Sequence, residues 1–292
     1  MGNLSNIELS EICIRLGKSN IINTQQIWGG SINNSWKINF DDSIYFLKKN
    51  ERSQKLLEFE NYCLKDLEQY IDFEDLSVPR VFDYFVFDTN EYLLLEWIEM
   101  NNDNQKKLGK GLAKMHLNSN KKNPSKFGYS KEGFIGTNKQ IKGWEDNWVD
   151  CFLELRIEPQ ISLFKNNFLD RGLINQIKSK VKFQLSNHEP MNSLIHGDLW
   201  SGNAGSGSQG EGIIFDPSCW WADSEVDLAM TKLFGGFTKD FYKEYNKIIQ
   251  PKKGLEIRID IYNFYHILNH ANMFGGSYIS QVDKYIKRIL DI

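Results

Sequence analysis

The sequence predicts an α+β protein in two lobes, a small β-rich one over residues 1–98 and a larger, mostly helical one over 99–292. Three observations lead there. Strand-like alternation fills much of the first hundred residues, helical spacing dominates the rest, and the polar stretch Glu99 to Gln105 is the one joint on offer between them. A length of 292 residues suits two domains and can bury a core without disulfide or metal staples.

Taken in order, Trp36, Ile38 and Phe40 alternate with polar residues, Asp41-Asp42-Ser43 turns the chain, and Ile44 to Lys48 resumes. That is an antiparallel hairpin. Leu56, Phe59, Cys63, Leu64 and Leu67 recur at helical spacing and predict an amphipathic helix over 54–69. Val78 to Asp88 and Tyr92 to Ile98 are two further strands around a polar turn. Past the joint, Leu108, Leu112 and Met115 mark one helix and Trp144 to Leu155 another. Later helices cover 160–184, 224–233, 238–249 and 257–272, and only the stretches around 193–196 and 212–216 read as strands there.

Composition narrows the function. Lys and Arg number 35 against 38 Asp and Glu, a net charge of −3, which gives no basic footprint for nucleic acid. No apolar run approaches the roughly 20 residues that span a bilayer. The start, MGNLSNIELSEICIR, carries Glu8 and Glu11 and lacks the pattern of a signal peptide, so a cytoplasmic chain is expected. Cys13, Cys63, Cys151 and Cys219 lie far apart, which fits reduced thiols rather than a zinc site or a disulfide framework.

The chemistry concentrates in Leu194-Ile195-His196-Gly197-Asp198-Leu199-Trp200-Ser201-Gly202-Asn203 and in Gly212-Ile213-Ile214-Phe215-Asp216-Pro217. Each is an apolar run that delivers oxygen-bearing side chains into a loop. Asp198, Asn203 and Asp216 can therefore converge, and carboxylate and amide oxygens suit Mg²⁺ beside phosphates. The spacing matches phosphoryl transfer, with Asp198 as the base and Asn203 and Asp216 as metal ligands. As single residues, all three could equally be turn formers or helix caps. The small lobe should supply a lysine and its partner. Lys48 shares a strand face with Ile44 and Phe46, whereas Lys49 faces the other way and reads as solvent-exposed. Glu60, four residues from both Leu56 and Leu64, lies on the inward stripe of its helix and needs a cation, for which Lys48 is the natural candidate. Upstream, Gly29-Gly30-Ser31 precedes the hairpin and lets backbone approach phosphates. A G-x-G-x-x-G pattern at 205–210 is followed by a strand rather than a helix, so it reads as a hairpin turn and not as a dinucleotide site.

Together, His196 to Asn203, Asp216-Pro217, Asp227 to Thr231 and Phe234-Gly235-Gly236-Phe237 resemble the fructosamine kinase family, which belongs with the aminoglycoside phosphotransferases in the protein-kinase-like fold. The resemblance extends through Gly29-Gly30, Phe46-Leu47-Lys48, Phe59-Glu60, Met115-His116, Phe127-Gly128 and Trp144 to Trp148. It implies ATP-dependent phosphorylation of a ketosamine, at the 3-hydroxyl in the best-known members, with residues 1–98 as the nucleotide lobe and 99–292 as the catalytic lobe. It also implies that the connection at Glu96 holds adenine through its backbone and that His196 orients the catalytic loop. Asp227 reads two ways, as the brace of that loop or as an acid in a helix's first turn. Trp200, with Trp144, Trp148, Trp220 and Trp221, reads as a sugar-stacking wall or as aromatic core. His266 and His270 lack a third metal ligand and read as helix packing. Two rivals remain: a phosphotransferase for another small hydroxyl substrate, and a non-catalytic nucleotide-binding module.

Overall fold

A computed structural model describes residues 3–28, 32–51, 55–101, 104–166 and 168–292. Gly29, Gly30 and Ser31 lie outside the described residues, as do 102–103 within the expected joint.

The chain begins with α1 (Asn6–Leu16), a helix absent from the sequence reading. Ser5 and Glu8 form a reciprocal capping box at its start, and Gly17 closes it in the left-handed conformation. Five antiparallel strands follow: β1 (Ile21–Ile27), β2 (Asn34–Phe40), β3 (Ile44–Asn50), then β5 (Val81–Phe87) and β6 (Asn90–Glu96), arranged β1-β2-β3-β6-β5. Between β3 and β5 come α2 (Leu56–Glu68) and the two-residue β4 (Leu76–Ser77). Strand parity sorts the two faces of the sheet. Trp36, Ile38, Phe40, Tyr45 and Leu47 pack with Leu4 and Ile12 beside α1 in a core of their own. The other face carries Lys48 towards α2, whose Leu57, Phe59, Cys63, Leu64 and Leu67 belong to the main core.

The rest of the chain is helical with short strands inserted. α3 (Lys106–Asn120) precedes four strands of three residues each: β7 (Phe127–Tyr129), β8 (Gly133–Ile135), β9 (Asn138–Gln140) and β10 (Gly143–Glu145). The sequence reading missed all four and ran a helix through Trp144. Instead Asn147 caps α4 (Trp148–Phe152), which passes through a π-helical turn, Leu153–Ile157, into α5 (Glu158–Leu163). The helix expected over 160–184 is likewise two. Phe164 is extended, and Asp170 starts α6 (Arg171–Ser186) by accepting from the amide of Leu173.

Then come β11 (Asn192–Ile195), β12 (Ala204–Ser206), β13 (Gly212–Ile214) and β14 (Trp220–Asp223), followed by α7 (Glu225–Leu233), α8 (Lys239–Ile248), α9 (Leu255–Phe274) and α10 (Ser277–Asp291). β12 and β13 pair as the hairpin expected around the glycine-rich turn, and β13 also pairs in parallel with β4 from the first hundred residues. β11, which leads into the Asp198 loop, pairs with β14, the strand that follows Asp216-Pro217. Among the described residues no helix is long and apolar enough to cross a membrane.

Candidate active site

Asp198 sits in the loop that β11 delivers, and its backbone is held from below. The buried carboxylate of Asp227, at the start of α7, accepts from the amides of His196 (2.8 Å) and Gly197 (2.9 Å). Asp227 is thus both readings at once, a first-turn acid that braces the loop. Burial opposes its ionisation, but His116 and these amides hold its carboxyl below the usual range. The sequence reading assigned this brace no further members. The structure adds His116, bridging Asp227 (3.1 Å) to the Tyr245 hydroxyl (2.9 Å). A histidine within the apolar stripe of α3 was the available signal; Tyr245 offered none.

Gly197 has a φ of +83°, and a Cβ there would lie 2.1 Å from the carbonyl oxygen of Ser218. Only glycine fits. His196 is fully buried with both ring nitrogens engaged. Nε2 donates to the Phe215 carbonyl (2.9 Å), and Nδ1 accepts from the Asp198 amide (3.3 Å). That pattern needs a neutral ring, which burial also favours by lowering its pKa, and it ties the ring to the Asp198 amide and the Phe215 carbonyl.

Asn203 commits its amide nitrogen to Asp198, at 2.9 Å to the carbonyl and 3.3 Å to Oδ2. Asp216 follows β13 with a φ of +55° and contacts the Lys48 ammonium. Lys48 in turn lies 2.7 Å from Glu60. Burial alone would lower the lysine's pKa; Asp216 and Glu60 outweigh it and keep the ammonium charged. Two carboxylates share that one cation, and burial lifts Glu60 to about 7. Burial, with Asp216 and Asp227 nearby, likewise pushes Asp198 up to about 7. A seam this rich in acid is short of positive charge, and the side-chain oxygens of Asn203 and the half-exposed Asp216 are the hard type that Mg²⁺ takes.

Lys49 corrects the sequence reading. It is half-buried beside α1, 2.9 Å from Glu8 and 3.1 Å from Glu51, because α1 covers the face left open to solvent. Glu96 ends β6 with its carboxylate accepting from the Arg80 amide (3.3 Å). Trp148 and Trp220 stack on each other inside the core, whereas Trp200 is 39 % exposed and meets Phe234 edge-on. His266 is buried, and His270 packs between Phe234 and Tyr278, with no metal-binding cluster around them among the described residues.

The model of the fructosamine kinase family matches residues 8–292. The chain belongs to the fructosamine kinase family. Its relatives include the "Probable ketoamine kinase" of Synechocystis sp., 36% identical over 274 residues, 92% of this chain and 90% of that one. The chloroplastic protein-ribulosamine 3-kinase of Oryza sativa subsp. japonica is 31% identical, covering 92% and 80%. A crystal structure described as a fructosamine-3-kinase, from Haemophilus somnus, superposes with a TM-score of 0.85 at 29% identity over 96% of both chains. An aminoglycoside phosphotransferase shares the fold at a TM-score of 0.64 and 13% identity, over 97% of this chain and 99% of that one. The expected α+β, protein-kinase-like architecture is therefore the observed one, and this fructosamine kinase family member is a phosphotransferase that uses ATP.

Proposed function

We propose that the chain phosphorylates a sugar hydroxyl of ketosamines such as fructosamine or ribulosamine adducts, supporting deglycation in the cytoplasm. One observation carries the reading. Asp198, Asn203 and Asp216 gather at one seam with Lys48 and Glu60, although Lys48 and Asp216 are 168 residues apart in sequence. In this reading Lys48, fixed by Glu60, binds ATP phosphates, with Gly29, Gly30 and Ser31 covering them and the backbone near Glu96 receiving adenine. Asn203 and Asp216 would hold Mg²⁺, whose chemistry is to neutralise phosphate charge. Asp198 orients the acceptor hydroxyl and takes its proton. Trp200, the exposed tryptophan beside the loop, flanks the sugar. The division into a nucleotide lobe (1–98) and a catalytic lobe (99–292) follows, supported by the five-stranded sheet that ends at Glu96.

The test is ATP consumption against a panel of fructosamines, ribulosamines and aminoglycosides, with NMR location of the phosphate. Turnover confined to ketosamines is expected. Turnover on aminoglycosides alone, or on none of the panel, would overturn the assignment.

A further inference from the structure

The β8–β9 hairpin touches parts of the site that come from distant stretches of chain. Phe134 packs edge-on against Phe59, the residue before Glu60, with ring centroids 6.5 Å apart. Gly136, at the tip, has a φ of +63°, and a Cβ there would lie 2.4 Å from the Met273 thioether and 3.6 Å from Ile32, just after Ser31. Asn138 donates to Asn269 of α9 at 2.8 Å.

At the hairpin's end, Gln140 is 3 % exposed. Its Nε2 spans the carbonyls of Ser218 (3.4 Å) and Cys219 (3.3 Å), and its Oε1 accepts from the Tyr265 hydroxyl (3.3 Å). Next along, the carbonyl of Ile141 accepts from the buried Arg156 (3.2 Å), whose guanidinium lies 4.0 Å over Trp220.

Ser218 and Cys219 are the strap between Asp216-Pro217 and β14. Ser218 donates its amide to the His196 carbonyl (2.8 Å), and its own carbonyl presses on Gly197. The strap therefore sets where the Asp198 turn stands relative to Asp216. Carbonyls only accept, so two of them facing one buried spot need a donor there. Gln140 brings it.

We propose that Gln140 is a positioning residue for phosphoryl transfer, its buried amide fixing the Ser218–Cys219 strap and so the spacing of the Asp198 turn and Asp216. This rests on the kinase reading above. Without the donor, the Ser218 peptide rotates to find one, and the turn packed against it moves as well. Misplacement of about 1 Å can cost about 10²-fold in rate.

The test uses the full chain with Gln140→Met, near in shape but without a donor, and Tyr265→Phe, which keeps the amide but frees its orientation. Wild-type turnover on the acceptor panel is measured first, and its absence would strike the kinase reading rather than this one. For Gln140→Met, kcat falls about 10–100-fold while the KM for ATP stays within about threefold, an interaction realised in the transition state. Tyr265→Phe shows the same split in milder form. A folded Gln140→Met with wild-type kcat overturns the proposal. If Gln140→Met does not fold, Tyr265→Phe decides: a selective fall in kcat supports positioning. Unchanged kcat, or kcat and KM worsening together as thermal stability drops, overturns it.

Discussion

The Asp198 carboxyl is held in place with little freedom. Its loop is pinned by Asp227, its side chain meets Asn203, and burial beside two acids lifts it to about 7. Positioned bases contribute about 10²–10⁴-fold, so Asp198→Asn should lose kcat on that order while calorimetry finds ATP binding intact. Retention of more than about a tenth of kcat would move the chemistry to another acid. Lys48→Met should raise the KM for ATP and lower kcat. Lys49→Met should leave both unchanged and lower Tm, since its partners are Glu8 and Glu51; equal kinetic effects from the two would contradict the observed register. Asp216→Asn should weaken Mg²⁺-dependent nucleotide binding in a titration with and without chelator. Strand parity made Lys48 legible in the sequence, because period-two alternation is local. The partner of Lys49 was not legible, because Glu8 lies on a helix that no local pattern places over the sheet.

At the scale of elements, α1 makes the sharpest case. Glu8 completes the capping box with Ser5 and also meets Lys49 and the Tyr92 hydroxyl. Burial opposes its ionisation, yet these donors prevail and bring its pKa down from 4.5 to about 2. A depressed carboxyl adds stability that is fully present above its unfolded pKa, near 4.5, and is lost as pH falls through about 2. At about 1.4 kcal/mol per unit, the contribution is up to about 3 kcal/mol. Denaturant titrations should find Glu8→Gln less stable at pH 7, with the gap closing between pH 4.5 and 2. A gap constant across that window would show that Glu8 is not the group responsible. Among elements with enough residues to show a period, β2, β3 and α2 were read, whereas α1, β1 and α10 were not. The three-residue strands β7 to β10 were not either, since three residues cannot display alternation, and β7 finds β14 only across a long stretch of sequence.

Across the whole molecule, β4 ties the first hundred residues to the catalytic seam. It pairs with β13, while the buried Asp75 carboxylate takes Lys110 (3.0 Å) and Lys114 (2.5 Å) of α3. Core residues of α2 and of α9 belong to one cluster. Unfolding should therefore be a single transition, with tryptophan fluorescence and far-UV circular dichroism coinciding. Asp75→Asn should lower stability by about 1–3 kcal/mol, the cost of leaving partners unmet at a buried acceptor, and should keep the two probes coincident. Separation of the two signals would mean that the halves are independently stable. The two-lobed α+β class was legible from the shift in periodicity. The cross-connection through β4 was not, because two residues carry no pattern.

The long reach between Lys48 and Asp216 also bears on how the chain is made. A ribosome releases residues in order, at about 5–20 per second, and a nascent segment can adopt only those pairings whose members have emerged. Lys48 and Glu60 come out early, but Asp216 follows Lys48 by 168 residues, and the strand that pairs with β4 emerges just ahead of it. Until then the sheet has its local hairpins while Lys48 lacks Asp216 and β4 lacks its partner strand. With the site as proposed, competence to bind ATP is withheld until roughly three-quarters of the chain has been synthesised, and products of premature termination before Asp216 should fail to sequester the nucleotide.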